Sequence, residues 1–209
     1  MSGTFVRQIS LLMIAMSVGI VPASAHHVMG GATPSTFVQG LLSGFGHPVI
    51  GPDHLAFLIA VGIAVGVGGL NYLMSLIFVG ASAVGVALHV FGATLPAAEI
   101  MVAGSVLVAG AMLASGVVAR SAAIWATLFC LAGLFHGYTF GESIVGAEQA
   151  PLWAYLLGLV AVQTLFTSGI ALIIRRTGVT AITSAPRVAG AAVSAVGFAV
   201  LASHMLQSV

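Results

Sequence analysis

The sequence predicts an all-α, polytopic membrane helix bundle, and three observations carry that prediction. The chain of 209 residues is 60% hydrophobic. Its formally charged side chains are five arginines, one aspartate and three glutamates, with no lysine, whereas a soluble domain carries about a quarter charged residues. Apolar runs near 20 residues recur along its length, the span of one helical membrane crossing. No alternating strand pattern of the barrel kind interrupts them, and only helices or closed barrels satisfy the backbone in lipid.

The first element reads as a signal peptide over residues 1–25. Arg7 opens it, Ile9 to Val21 form a short apolar core, and Ala23-Ser24-Ala25 is the small-x-small pattern that signal peptidase cuts after. The mature chain, a single transmembrane domain over residues 26–209, is then expected to begin at His26. An uncleaved first helix is the alternative. Six crossings follow, at about Ser35 to Gly68, Tyr72 to Phe91, Pro96 to Val118, Ala122 to Phe140, Leu152 to Ile174 and Val188 to Met205.

As one straight helix the first of these would run about 51 Å against a hydrocarbon core of about 30 Å. The sequence supplies a break at Gly46-His47-Pro48-Val49-Ile50-Gly51-Pro52-Asp53-His54, where prolines remove donors and glycines loosen the chain. A half-helix ending near Gly46 is expected to turn its carbonyl end to the gap, and Pro52 suits the first turn of the next. Counted as one crossing with the mature terminus outside, this segment puts Arg120, Arg175, Arg176 and Arg187 in the cytoplasm, as the positive-inside rule asks. Both mature termini then lie outside a bacterial inner membrane.

Several function classes drop out. Five scattered arginines make no basic surface, so nucleic acid is not a partner. A lone Cys130 gives neither a disulfide framework nor a CxxC site. Without lysine there is no P-loop, and HExxH and GxSxG are absent, so no ATPase or hydrolase is expected. A haem cytochrome would pair histidines along straight helices, and these flank prolines instead.

Seven histidines stand out in a chain that otherwise avoids polar side chains. Ionisable groups inside a membrane segment are costly and mark functional sites by default. On a straight helix, His47 and His54 would stand about 10 Å apart along the axis. A fold-back at the break lets His47, Asp53 and His54 converge on one cation, and discontinuous helices are where transporters hold ions. Alternatively Asp53 only caps the second half-helix while the histidines bond to freed carbonyls. Near the end of the fourth crossing, Phe135-His136-Gly137-Tyr138-Thr139-Phe140-Gly141-Glu142 sets an imidazole near a carboxylate. Such donors suit nickel, zinc, copper or iron, and cross-helix hydrogen bonding is again the plainer role. His89 is a further candidate ligand; His204 reads as interfacial. A mature start His26-His27-Val28-Met29-Gly30 offers amine, amide and imidazole nitrogens to nickel or copper, or is simply an unstructured tail.

The run His47-Pro48-Val49-Ile50-Gly51-Pro52-Asp53-His54-Leu55 resembles the HPxxGxDHL signature of the HupE/UreJ family of nickel and cobalt permeases. Phe135-His136-Gly137 followed by Gly141-Glu142 is similar to that family's later HG and GE motif. Many members carry a second histidine where this chain has Phe140. The His-Asp-His arrangement is also similar to that of the larger nickel/cobalt transporter family, and the His-His-Val-Met-Gly start to the membrane component of energy-coupling-factor metal importers. The resemblance implies uptake of nickel or cobalt by a small permease without its own ATPase, the ion being substrate and no cofactor being needed. A non-transporting accessory protein for hydrogenase or urease maturation is the alternative. The expected ligands are His47, Asp53, His54, His136, Glu142, His26, His27 and His89. Protonation of imidazoles opposes metal binding, so uptake is expected to fall below about pH 6 outside. Gly62-x-x-x-Gly66 permits close packing within one bundle or between copies of a homo-oligomer.

Overall fold

The computed structural model describes residues 32–116, 121–180 and 183–207. The expected signal peptide, His26, His27 and Arg120 lie outside them. Every regular element described is a helix: α1 Phe37–Ile50, α2 Pro52–Val67, α3 Leu73–Val90, α4 Ala98–Ala114, α5 Ala122–Gly141, α6 Gln149–Thr177 and α7 Ser184–Gln207.

Helix α1 begins where Thr36 accepts the amide of Gln39 at 3.2 Å, capping its first turn. The break that follows is real but sits later than the sequence placed it. Gly46, His47 and Pro48 are all helical, and α1 runs on to Ile50. The chain turns at Gly51, with ψ of 116°, and α2 restarts at Pro52, bent 79° from α1. Proline pushes its predecessor out of the α region, and Gly51, already the weaker helix former, is that residue. Pro52 costs nothing at a first helical position, where its missing donor would be unpaired anyway. Asp53 in that first turn faces the positive end of the α2 dipole.

Helix α2 is the centre of the bundle. Ala56, Phe57, Leu58, Ala60, Val61, Ile63, Ala64 and Val65 are all buried, so it is covered on nearly every side. Gly62 and Gly66 let it approach α6, where an added Cβ would strike Ile170 and Ile174 at 2.6 and 2.8 Å. That small-residue pair is therefore spent within one chain. Around the outside, Leu165, Phe198 and Trp153 are more than half exposed, the pattern of a lipid-facing surface.

The register of the helix pairs fixes their directions. Gly133 packs on Phe78, Gly137 on Ser82 and Gly141 on His89, so α3 and α5 run parallel. Gly190 meets Gly110 and Ala114 while Gly197 meets Ala103 and Leu107, so α4 and α7 run antiparallel. The molecule thus has two chemically distinct ends. At one, Arg175 donates to the carbonyls of Val65 and Leu70 and lies 4.1 Å over the Tyr72 ring, and Arg187 packs on Gly116. The other gathers His89, Glu99, Glu142 and His204.

This is a multi-pass membrane protein. Four helices, α3, α5, α6 and α7, are long and apolar enough to cross, and the bent α1–α2 pair brings the number to five where it counts as one span rather than a re-entrant loop. Helix α4, at 17 residues and about 25 Å, is shorter than the other five. The expected sixth crossing rests on it.

Candidate metal centre

His47 is carried by the last turn of α1, Asp53 and His54 by the first turn of α2, and His136 by α5; all four are buried. The bend at Gly51 brings the two α2 residues to the face of α5. Space there is tight: a Cβ on Gly51 would stand 2.6 Å from His54 Cδ2 and 3.2 Å from Asp53 Oδ1. Glycine is thus required at 51 by the side chains it leaves room for.

The imidazoles of His54 and His136 meet through Nδ1 at 2.8 Å. Neighbouring hydroxyls decide which nitrogen holds the proton. Ser105 Oγ donates to the Val102 carbonyl at 2.7 Å, so at 3.0 Å it accepts from His136 Nε2–H. A neutral His136 then has its lone pair on Nδ1, and His54 Nδ1–H is the donor. His47 follows the same logic. Tyr155 donates to the Phe140 carbonyl at 2.8 Å, and Ser143 has that carbonyl and the Tyr155 oxygen as acceptors at 3.1 and 3.3 Å, so His47 Nδ1 donates to the two hydroxyl oxygens at 3.0 and 2.9 Å. Its lone pair lies on Nε2. A ring nitrogen anchored by its proton to a hydroxyl is the usual outer-shell support of a metal-binding histidine.

Asp53 Oδ1 accepts the His54 amide at 2.9 Å, a first-turn contact; the N-cap position itself is Gly51 and carries no side-chain cap. Aromatic rings wall the cluster. Phe140 lies 4.3 Å from the His54 ring and 5.1 Å from that of His47, between centroids, and Phe57 lies 4.6 Å from His136. The His47 and His54 rings are 6.0 Å apart. Apolar walls of this kind limit the access of water to the cluster.

His89 and Glu142 lie elsewhere. His89 Nδ1 donates to the Tyr138 carbonyl at 2.7 Å, and both His89 and Glu142 line an open depression of about 440 Å³ at the His/Glu end of the bundle. Among the described residues, no three His, Cys, Asp or Glu side chains stand close enough together to hold one ion. The arrangement offers close pairs. Gly51 was marked by the break it helps to make, whereas spacing in the sequence suggested none of the supporting residues Ser105, Ser143 and Tyr155. Single hydroxyls in apolar helices are common, so the only signal was that Ser105 interrupts an apolar stretch.

The chain matches the family described as HupE / UreJ protein over residues 13–200, and it belongs to that family. No curated protein and no solved structure matches it.

Proposed function

We propose, from that membership, that the protein is a permease that carries divalent nickel or cobalt ions into the cell. In this reading His47, Asp53, His54 and His136 form the intramembrane station, with His26 and His27 offering nitrogen ligands at a cleaved amino terminus. The arginine-bearing end faces the cytoplasm and the His/Glu end faces outward.

One observation carries the proposal: two buried imidazole nitrogens, one from the second half of the broken helix pair and one from α5, stand 2.8 Å apart. An ion bound about 2.1 Å from each of two nitrogens at right angles sets them about 3 Å apart. The cation takes the place of the proton between the rings, and that proton moves to His54 Nε2 so that the imidazole stays neutral. Two neutral imidazoles with a nearby carboxylate offset much of the dehydration cost, yet a set this sparse lets the ion leave again. Hydroxyl support from Ser105 keeps His136 Nδ1 aimed as the cation passes. Imidazole donors favour nickel and cobalt over magnesium and calcium.

The test is uptake of radiolabelled nickel and cobalt by proteoliposomes bearing the wild-type chain, His47→Ala, Asp53→Asn, His54→Ala or His136→Ala. Uptake by the wild type with loss in the variants, at unchanged thermal unfolding, is the expected result. Equal uptake in all five removes the site. A wild type that accumulates no metal removes the permease and leaves an accessory role in metalloenzyme maturation.

A further inference from the structure

The depression at the His/Glu end holds two of the chain's three glutamates and two of its seven histidines, although the whole sequence has only nine formally charged residues. They come from four elements: His89 from the last turn of α3, Glu99 from the first turn of α4, Glu142 from the end of α5 and His204 from the last turn of α7. Glu99 Oε2 and His204 Nδ1 stand 3.1 Å apart. Three of the four helices present their carboxyl ends here, where the macrodipole favours a cation.

We propose that Glu99 and His204 form a capture site for a hydrated divalent transition-metal ion, separate from the buried histidines. The spacing suits two neighbouring positions in the coordination shell of one ion with bonds of about 2.1 Å. In its absence the imidazole donates Nδ1–H to the carboxylate; with the ion between them, a neutral His204 holds its proton on Nε2. Side-chain exposures of 54% for Glu99 and 20% for His204 leave room for water to fill the other positions. The site is therefore weaker and faster-exchanging than a buried one. The imidazole, with the Met205 thioether on the same wall, selects against magnesium and calcium. Onward transfer from this pair to the buried pair rests on the permease reading, but binding at the surface does not.

The test is titration of the full chain in detergent with cobalt(II), followed by visible absorption, for the wild type, Glu99→Gln and His204→Gln. Gln at 99 still accepts His204 Nδ1–H, so the tie between α4 and α7 survives and the metal-free unfolding temperature should not move. Two classes of bound cobalt are expected in the wild type, and at least a tenfold loss of affinity in the weaker class alone in each variant. Wild-type isotherms in both variants, or simultaneous loss of both classes, would overturn the proposal. Loss of the weaker class in a protein whose liposomes accumulate no metal would sustain the capture site and remove only the permease reading.

Discussion

His54 and His136 meet at 2.8 Å with no more than 6% of either residue exposed, whereas Glu99 and His204 meet at 3.1 Å with half of the carboxylate in solvent. The two pairs are built on similar separations and differ in their surroundings. Around the first, Phe57 and Phe140 exclude water, and Ser105 fixes which nitrogen carries the proton. Around the second, the surface is open and water can complete the shell of a bound ion. Charge–dipole and charge–charge terms are several times stronger in the first setting because water screens them less. Spacing thus decides whether two groups can share an ion. Burial decides how completely that ion must be stripped of water and how long it stays.

The largest test of this contrast is removal of one buried imidazole. His136→Ala should lower proteoliposome uptake at least a hundredfold at any metal concentration, while Glu99→Gln should raise the half-saturating concentration about tenfold and leave the rate at saturating metal unchanged. Interchanged effects would reverse the two roles. Next in size is the support of His47. Tyr155→Phe takes away one hydroxyl acceptor while Ser143 remains, and outer-shell losses of this kind cost about ten- to a hundredfold in metal affinity; the lower end is expected from equilibrium dialysis with nickel. Phe140→His puts a fourth imidazole beside those of His47, His54 and His136, and should tighten nickel binding about tenfold while slowing release. Unchanged affinity in that variant would show that the ring at 140 does not face the ion. Salt gives the smallest effect. Raising ionic strength from about 0.1 to 1 M shortens the Debye length from about 10 to 3 Å, so the weaker class of cobalt should lose about twofold in affinity and the tighter class nothing measurable.

Part of this site was legible from residue order. Prolines and glycines between His47 and His54 required a break, and a break is there. Its position was read too early because two prolines looked equivalent. Pro48 forfeits one backbone hydrogen bond inside a helix that continues past it, whereas Pro52 follows a glycine, and that pair stops the helix. Helix ends elsewhere moved by a few residues at most, since long apolar runs bounded by Gly, Arg or Pro leave little choice. Grouping by proximity in sequence worked less well. His136 and Glu142 were read as one cluster because six positions separate them, yet the first faces the buried imidazoles and the second the open depression. His204 was read as interfacial, with nothing in its neighbourhood to suggest a carboxylate partner.

By itself the sequence determined the solvent of the protein, the helical class, the interruption of the leading span and the residue types available to meet a cation. These follow from composition and local sterics: a chain so poor in charge cannot face water on all sides, and a residue before proline cannot easily remain helical. Only the tertiary structure decided which donors meet. Glu99 reaches His204 because α4 and α7 run antiparallel in a register set by glycine contacts such as Gly190 on Gly110, and His54 reaches His136 because the bend at Gly51 carries α2 toward α5. That register is a property of two packed surfaces at once, and one-dimensional spacing does not contain it.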